Sequence, residues 1–530
     1  MKKIYFKTIL LAGLFLGMTS CIKDLDTVPL NPKTITSATV FDNPDAYKSA
    51  LAKLYAGLAV SGQTGPSGNP DISGIDEGFG QYLRGYWYLQ ELSTDEAVIS
   101  WNDQTIKDFH YQTWDANDVF IKAFYYRIFY QVSLCNEFLR QTTDEKLDER
   151  NTPGDLRAEI KTYRAEARFL RALSYWHALD EFGNVPFVTE NDPVGAFFPK
   201  QISRADLFAY IESELKAIEP DLVDARQNEY GRADKAAAWT LLAKLYLNAK
   251  VYTGQEKYSE CVTYCKNVIN AGFSLQPEYN TLFLADNNVN NNEVIFSVNF
   301  DGVHTKTWGG TTFIIHASVG GTMDPAASGI DGGWAGLRTT SSFVNLFNDI
   351  TGNTDKRAMF WTDGQSLEIN DVGKFEDGYA INKFKNVTAS GASGSDPTFP
   401  DTDFPMFRLA DVYLMYAEAV LRGGAGGDLS TALNYVNQIR ERAYGDNSGD
   451  INQSQLTLDF ILDERGRELY WECTRRTDLI RFGKFTGGEY IWPWKGGVKE
   501  GTATDNKYDI YPIPSSDITA NPNLVQNPGY

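Results

Sequence analysis

The chain has 530 residues, a formal net charge of -20 from 49 basic and 69 acidic side chains, and 13% aromatic residues including 11 Trp and 29 Tyr. So acidic a surface repels phosphate backbones and anionic headgroups, which excludes nucleic acid as a partner and any membrane hold through the charge of the body. Five Cys without a CxxC pair and only four His exclude a zinc site, and no metal or cofactor is expected.

The first element is an export signal. Lys2, Lys3 and Lys7 precede an apolar run from Ile9 to Leu16, too short for a bilayer span, and then Met18-Thr19-Ser20-Cys21. This reads as a lipoprotein signal over residues 1–20 with Cys21 acylated as the new N-terminus, although Met18 stands where Leu is usual. A charged, Pro-rich stretch with Asp24, Asp26, Pro29 and Pro32 makes residues 21–40 a tether. Membrane contact would then come from acyl chains on Cys21, two or more being needed for a stable anchor.

Residues 41–280 read as helices with binding loops near their N-terminal end. Leu51, Leu54, Tyr55 and Leu58 recur at helical spacing, predicting a helix from Ala46 to Leu58. A Gly-rich loop from Ser61 to Gly80 leads to an aromatic segment, Tyr86 to Leu92, then to Asp95, Glu96 and Trp101. Helices are predicted from Val119 to Arg140 and from Asp155 to Glu181. The spacing Ala167, Leu170, Ala172, Tyr175 recurs 71 residues later as Ala238, Leu241, Ala243, Tyr246. That is close to two tetratricopeptide units of about 34 residues, in which small Ala lets antiparallel helices approach. A further helix covers Tyr258 to Ile269, where Cys261 and Cys265 fall one turn apart as small buried apolar residues.

Residues 281–400 change character to Gly, Asn, Asp and Thr-rich loops with short strands such as Glu293 to Val298, an insertion without repeats. Helices resume in residues 401–530, from Leu409 to Leu421 and from Ser430 to Ala443. The fold class is therefore mostly α, a tetratricopeptide-like scaffold with a loop-rich insertion. Loops on rigid scaffolds carry binding sites, which points to residues 61–115 and to the insertion.

Catalytic chemistry finds no support. A glycosidase needs two carboxylates about 5 to 10 Å apart across a cleft. Asp95 and Glu96 are adjacent, and Glu464 and Glu468 sit beside Arg465 and Arg467, which suits ion pairing. There is no G-x-S-x-G elbow. The oxygen-rich run Asp286 to Glu293 lacks the Gly of an EF-hand loop and reads as a solvated turn. Arg465, Arg467, Arg475, Arg476 and Arg481 are expected to pair internally with Glu464, Glu468, Glu472 and Asp478.

Along nearly the whole chain, ordered motifs resemble the SusD/RagB family of outer-membrane glycan-binding lipoproteins. They are the Cys21 lipobox, Leu92-Ser93-Thr94-Asp95-Glu96-Ala97, Tyr163 to Ala172, Phe182-Gly183-Asn184-Val185-Pro186 and Arg408 to Ala419. Glu464 to Leu469, Asp478 to Gly483, Asn521 to Leu524 and Gln526 to Tyr530 follow in order.

The resemblance implies a lipid-anchored protein on the outer face of the outer membrane that captures oligosaccharides for a SusC-like TonB-dependent transporter. Trp101-Asn102-Asp103-Gln104 and the Trp308 loop look most like the family's starch-binding founding member. This implies ligand binding by Asp76, Arg84, Trp101, Asn102, Gln104, Trp308 and Trp334, with Gln104 where Asn is expected. An α-glucan is favoured over another neutral glycan, and a non-glycan tetratricopeptide scaffold is the competing class. Burial of Trp101, Trp308 and Trp334 in the core would favour the scaffold.

Overall fold

The computed structural model describes residues 40–41 and 43–530. Lys48–Tyr530 forms one compact unit. The Val119–Gln141 helix starts where the Asp118 side chain accepts from the backbone N–H groups of Phe120 and Ile121, both at 2.9 Å, satisfying two otherwise orphan donors. It packs against Gly154–Glu181, which packs in turn against Arg204–Ile218. Lys235–Leu247 packs on Tyr258–Ile269, then come Leu409–Leu421 and Leu429–Tyr444, each against the one before. Ala167, Ala172, Ala238 and Ala243 are all buried in these contacts, where their small size lets the helices approach.

This is the expected helical-repeat scaffold, and the Leu409–Leu421 helix has the predicted ends. Among the described residues no helix is long and apolar enough to cross a membrane.

Strands are minor. Four two-stranded antiparallel pairs are present among the described residues, the longest joining Val294–Val298 to Phe404–Arg408. The shortest matter more for function. Val98 pairs with Arg338 and Ile99 with Leu337, fastening the segment before Trp101 to the segment after Trp334. Two helices depart from the sequence reading. Gly310–Ser318 lies inside the insertion, its Thr311, Thr312, Ile314 and Ile315 imitating a buried strand. The aromatic segment is also helical, as Tyr82–Trp87 running into a π turn at Tyr88–Leu92.

The C-terminal arginines are internally paired, partly with the expected partners and partly with more distant ones. Arg465 and Arg481 pair with Asp478 and Arg467 with Glu464 as foreseen, while Arg475 pairs with Asp95, Arg476 with Glu181 and Arg481 also with Glu418. Glu464 faces Arg357, Arg440 and Arg467, and Glu468 faces Arg357, Arg408 and Arg442. These guanidiniums hold the Glu468 carboxyl down at about 2 against the opposing effect of burial. Burying such charges is costly, so their mutual contacts offset desolvation, and removing one member leaves the others uncompensated.

Two carboxylates of the Leu92–Ala97 neighbourhood brace the chain elsewhere. Glu91 accepts from the Cys473 N–H at 2.6 Å and Glu96 from the Trp471 N–H at 3.1 Å. Both acceptors hold residues in the left-handed region, Trp471 at φ 63° and Cys473 at φ 60°, where non-Gly residues are strained.

Candidate functional site

Trp101, Trp334 and Trp308 converge although 233 residues separate the first two. The Trp101 and Trp334 ring centroids lie 6.2 Å apart, as do those of Trp334 and Trp308. None of the three is buried in the core; each is half-buried. Their positions are fixed from beneath. The Trp101 indole N–H donates to the Trp334 carbonyl at 3.1 Å, and Trp101 meets Phe313 of the Gly310–Ser318 helix edge-on. Trp334 stacks on His316 of that helix, with centroids 4.7 Å apart and planes at 22°. Trp308 leans on Phe399 at 5.0 Å. Gly336 is required beside Trp101, since a Cβ there would lie 2.8 Å from the indole.

Arg84 joins this row from the Tyr82–Trp87 helix. Its Nε donates to the Tyr88 hydroxyl and its Nη1 to the Trp308 carbonyl, both at 2.7 Å, and the guanidinium lies 4.4 Å from the Phe313 ring centroid. Asp76 caps its own turn, Oδ1 accepting from the N–H groups of Gly78 and Phe79. Gly78 brings the three neighbours together, a Cβ on it falling 3.1 Å from Asp76, 3.4 Å from Trp308 and 3.5 Å from Arg84.

A cavity of about 480 Å³ opens here, lined by Asp76, Arg84, Trp101 and Gln104 and also by Tyr88 and Asp103. Asn102, exposed beside Trp101, is not part of that lining, and neither are Trp308 and Trp334, which continue the aromatic row beside it. Gln104 adopts φ 44°, a left-handed backbone that Asn tolerates better than most side chains. The expected Asn thus fits this turn with less strain than the Gln present.

Tyr88 and Asp103 were not among the ligand-binding residues that the sequence pointed to, although both lie in segments it singled out. Tyr88 follows Arg84 by four residues, the spacing that puts both on one helix face. Asp103 sits between two residues that were named. Burial pushes the Tyr88 phenol up, opposed by the Arg84 charge beside it, so it stays a neutral hydroxyl.

A larger groove of about 870 Å³ lies between the Val119–Gln141 helix and residues 188–199. Three of its polar groups are turned back into the protein: the Tyr126 hydroxyl to Asp517, Ser133 to the Phe129 carbonyl, and the Asn136 amide to the Val188 carbonyl. This groove has exposed aromatics of its own at Phe197 and Phe198, whereas the smaller cavity is the one that gathers Asp76, Arg84, Trp101 and Gln104. Cys21, the signal 1–20 and nearly all of the tether 21–40 lie outside the described residues.

Two family models match in sequence order. One, described as starch-binding and associating with the outer membrane, covers residues 81–247, and the SusD family model covers residues 360–530. The starch-binding protein SusD of Bacteroides thetaiotaomicron is 36% identical, over 100% of this chain and 99% of its own. A SusD-like protein of Bacteroides ovatus is 27% identical over 64% of this chain and 62% of its own.

Among solved structures, a SusD superfamily protein of Parabacteroides distasonis superposes with a TM-score of 0.71 at 23% identity, covering 94% of this chain and 100% of its own. Surface glycan-binding protein A of Bacteroides thetaiotaomicron, in complex with laminarihexaose, gives 0.68 at 19% identity, covering 91% and 99%. At such identities these two likenesses establish the fold. The helical-repeat architecture, the two models in order and a relative matched end to end agree: the chain belongs to the SusD family.

Proposed function

We propose that this protein captures neutral glycans, with starch-derived maltooligosaccharides favoured, and passes them to a SusC-like TonB-dependent transporter. The observation that carries this reading is the half-buried row Trp101–Trp334–Trp308 beside a pinned Arg84. Sugars present apolar C–H faces and polar rims, and an aromatic row with a few fixed polar groups meets both. Non-parallel rings, at 46° and 55° to one another, suit a curved α-glucan better than a flat chain. The preference for starch also draws on the full-length relative named starch-binding protein SusD. In this reading Asp76, Arg84 and Gln104 bond hydroxyls, Asn102 contributes from the rim, and residues 281–400 form the ligand-binding insertion.

Binding proceeds without turnover. Asp95, Glu464 and Glu468 are committed to ion pairs, and none of them opens on the cavity. Cys21 carries the lipid and holds the body on the outer face of the outer membrane, the helical-repeat face resting on the transporter. Titration calorimetry against starch, pullulan, laminarin and cellulose oligosaccharides tests the glycan assignment. Saturable binding of maltoheptaose supports it, and silence across the panel refutes it. Cys21→Ala should release the protein from outer membranes, and co-purification from native membranes tests the transporter.

A further inference from the structure

The charged groups of the cavity suggest which glycans it refuses, an inference that rests on the glycan reading. Its lining sets two carboxylates, Asp76 and Asp103, against the one guanidinium of Arg84. The two assigned bonds of Arg84 go to neutral oxygens, and its flat face is covered by Phe313. Asp76 spends Oδ1 on its own turn. Asp103 is exposed, and both carboxylates line the same cavity.

We propose that Asp103 is a specificity-determining residue that accepts a sugar hydroxyl and excludes carboxylate-bearing glycans. A hydroxyl can donate to an ionised carboxylate, a charge-assisted bond stronger than one between neutral groups. A uronate brings only lone pairs and negative charge to that position. Arg84 could attract it, but it meets two carboxylates on the way and the field of a chain carrying -20 overall. Because Asp103 is exposed, the repulsion is screened and should weaken with added salt.

The test uses maltoheptaose and maltoheptaose oxidised to carboxylate at C6, titrated at low salt into the wild type, Asp103→Asn and Asp103→Glu. The wild type should prefer the neutral ligand by about tenfold or more. Asp103→Asn should cut that preference at least threefold, mostly by binding the acidic ligand better, while Asp103→Glu retains it. Asp103 is exposed and Asn nearly isosteric, so melting temperatures should match and variant folding is not in question. An unchanged preference in Asp103→Asn, or a wild type that favours the acidic ligand, overturns the proposal while leaving glycan binding intact. A wild type that binds neither ligand removes the glycan reading and this inference together.

Discussion

Replacing Trp101 by Ala tests the site most directly, and the structure gives two separate costs. The side chain makes one hydrogen bond, to the Trp334 carbonyl, worth about 1 kcal/mol. Its ring is half-buried against Phe313 and Gly336, so loss of packing falls below the roughly 3 to 5 kcal/mol of a core Trp, and a total near 2 to 3 kcal/mol is expected. For a chain of this size that lowers the melting temperature by only about 2 to 3 °C and leaves the protein folded. Binding suffers separately, because Trp101 supplies a stacking face and also orients Trp334. As a hot spot it should cost roughly 2 kcal/mol or more, about thirtyfold in affinity for maltoheptaose. Trp101→Phe separates the two costs, since it keeps a ring but lacks the N–H donor. It should recover most of the affinity while remaining about 1 kcal/mol less stable than wild type in urea denaturation. A folded Trp101→Ala protein that binds within about threefold of wild type refutes the assignment of the site.

Gly336→Ala should push the Trp101 indole aside and lower affinity about tenfold, at a stability cost of about 1 to 3 kcal/mol typical of overpacking. Unchanged binding by calorimetry would show that the indole does not need that position. Arg408→Met takes one guanidinium from Glu293, Glu468 and Glu472, which keep only Arg442, Arg357 and Lys383 as partners, and urea denaturation should show a loss of about 3 kcal/mol. A loss under 1 kcal/mol would mean that these carboxylates find other partners. Glu91 carries a pH dependence of definite sign. Burial, more than any opposing bond, raises its carboxyl to about 7, above the unfolded value of about 4.3. Its ionisation therefore costs folding stability increasingly as pH rises through that window, and fully above about 7. Glu91→Gln should melt above wild type at pH 8 but not at pH 4, and an equal difference at both would contradict it.

The scaffold was legible because its helices are long and periodic. Leu51, Leu54 and Leu58 mark one face, and the Ala and Tyr positions of the two resembling helices fix the packing distance. The Gly310–Ser318 helix was not legible, since a helix buried on all sides has no polar face and its β-branched residues imitate a strand. Trp101, Trp308 and Trp334 could be nominated only one at a time, through resemblance. Their convergence depends on the two-residue pairing of Val98–Ile99 with Leu337–Arg338, too short to leave a pattern in sequence. Asp103 was passed over for a related reason: in an irregular loop no periodicity tells which of four consecutive residues faces the cavity.

The pairing of Asp95 with Arg475 spans 380 positions, the Trp87 bond to the Trp471 carbonyl 384, and Glu181 with Arg476 295. Until residues 471–481 have been synthesised, the N-terminal helices lack the partners that neutralise Asp95 and Glu181 and cover Trp87. Contacts so far apart in sequence close slowly, because loop entropy is lost before any interaction compensates. A growing chain therefore cannot complete its core while its C-terminal segment is still on the ribosome. Any truncation that removes Trp471 should yield a protein that is degraded rather than folded.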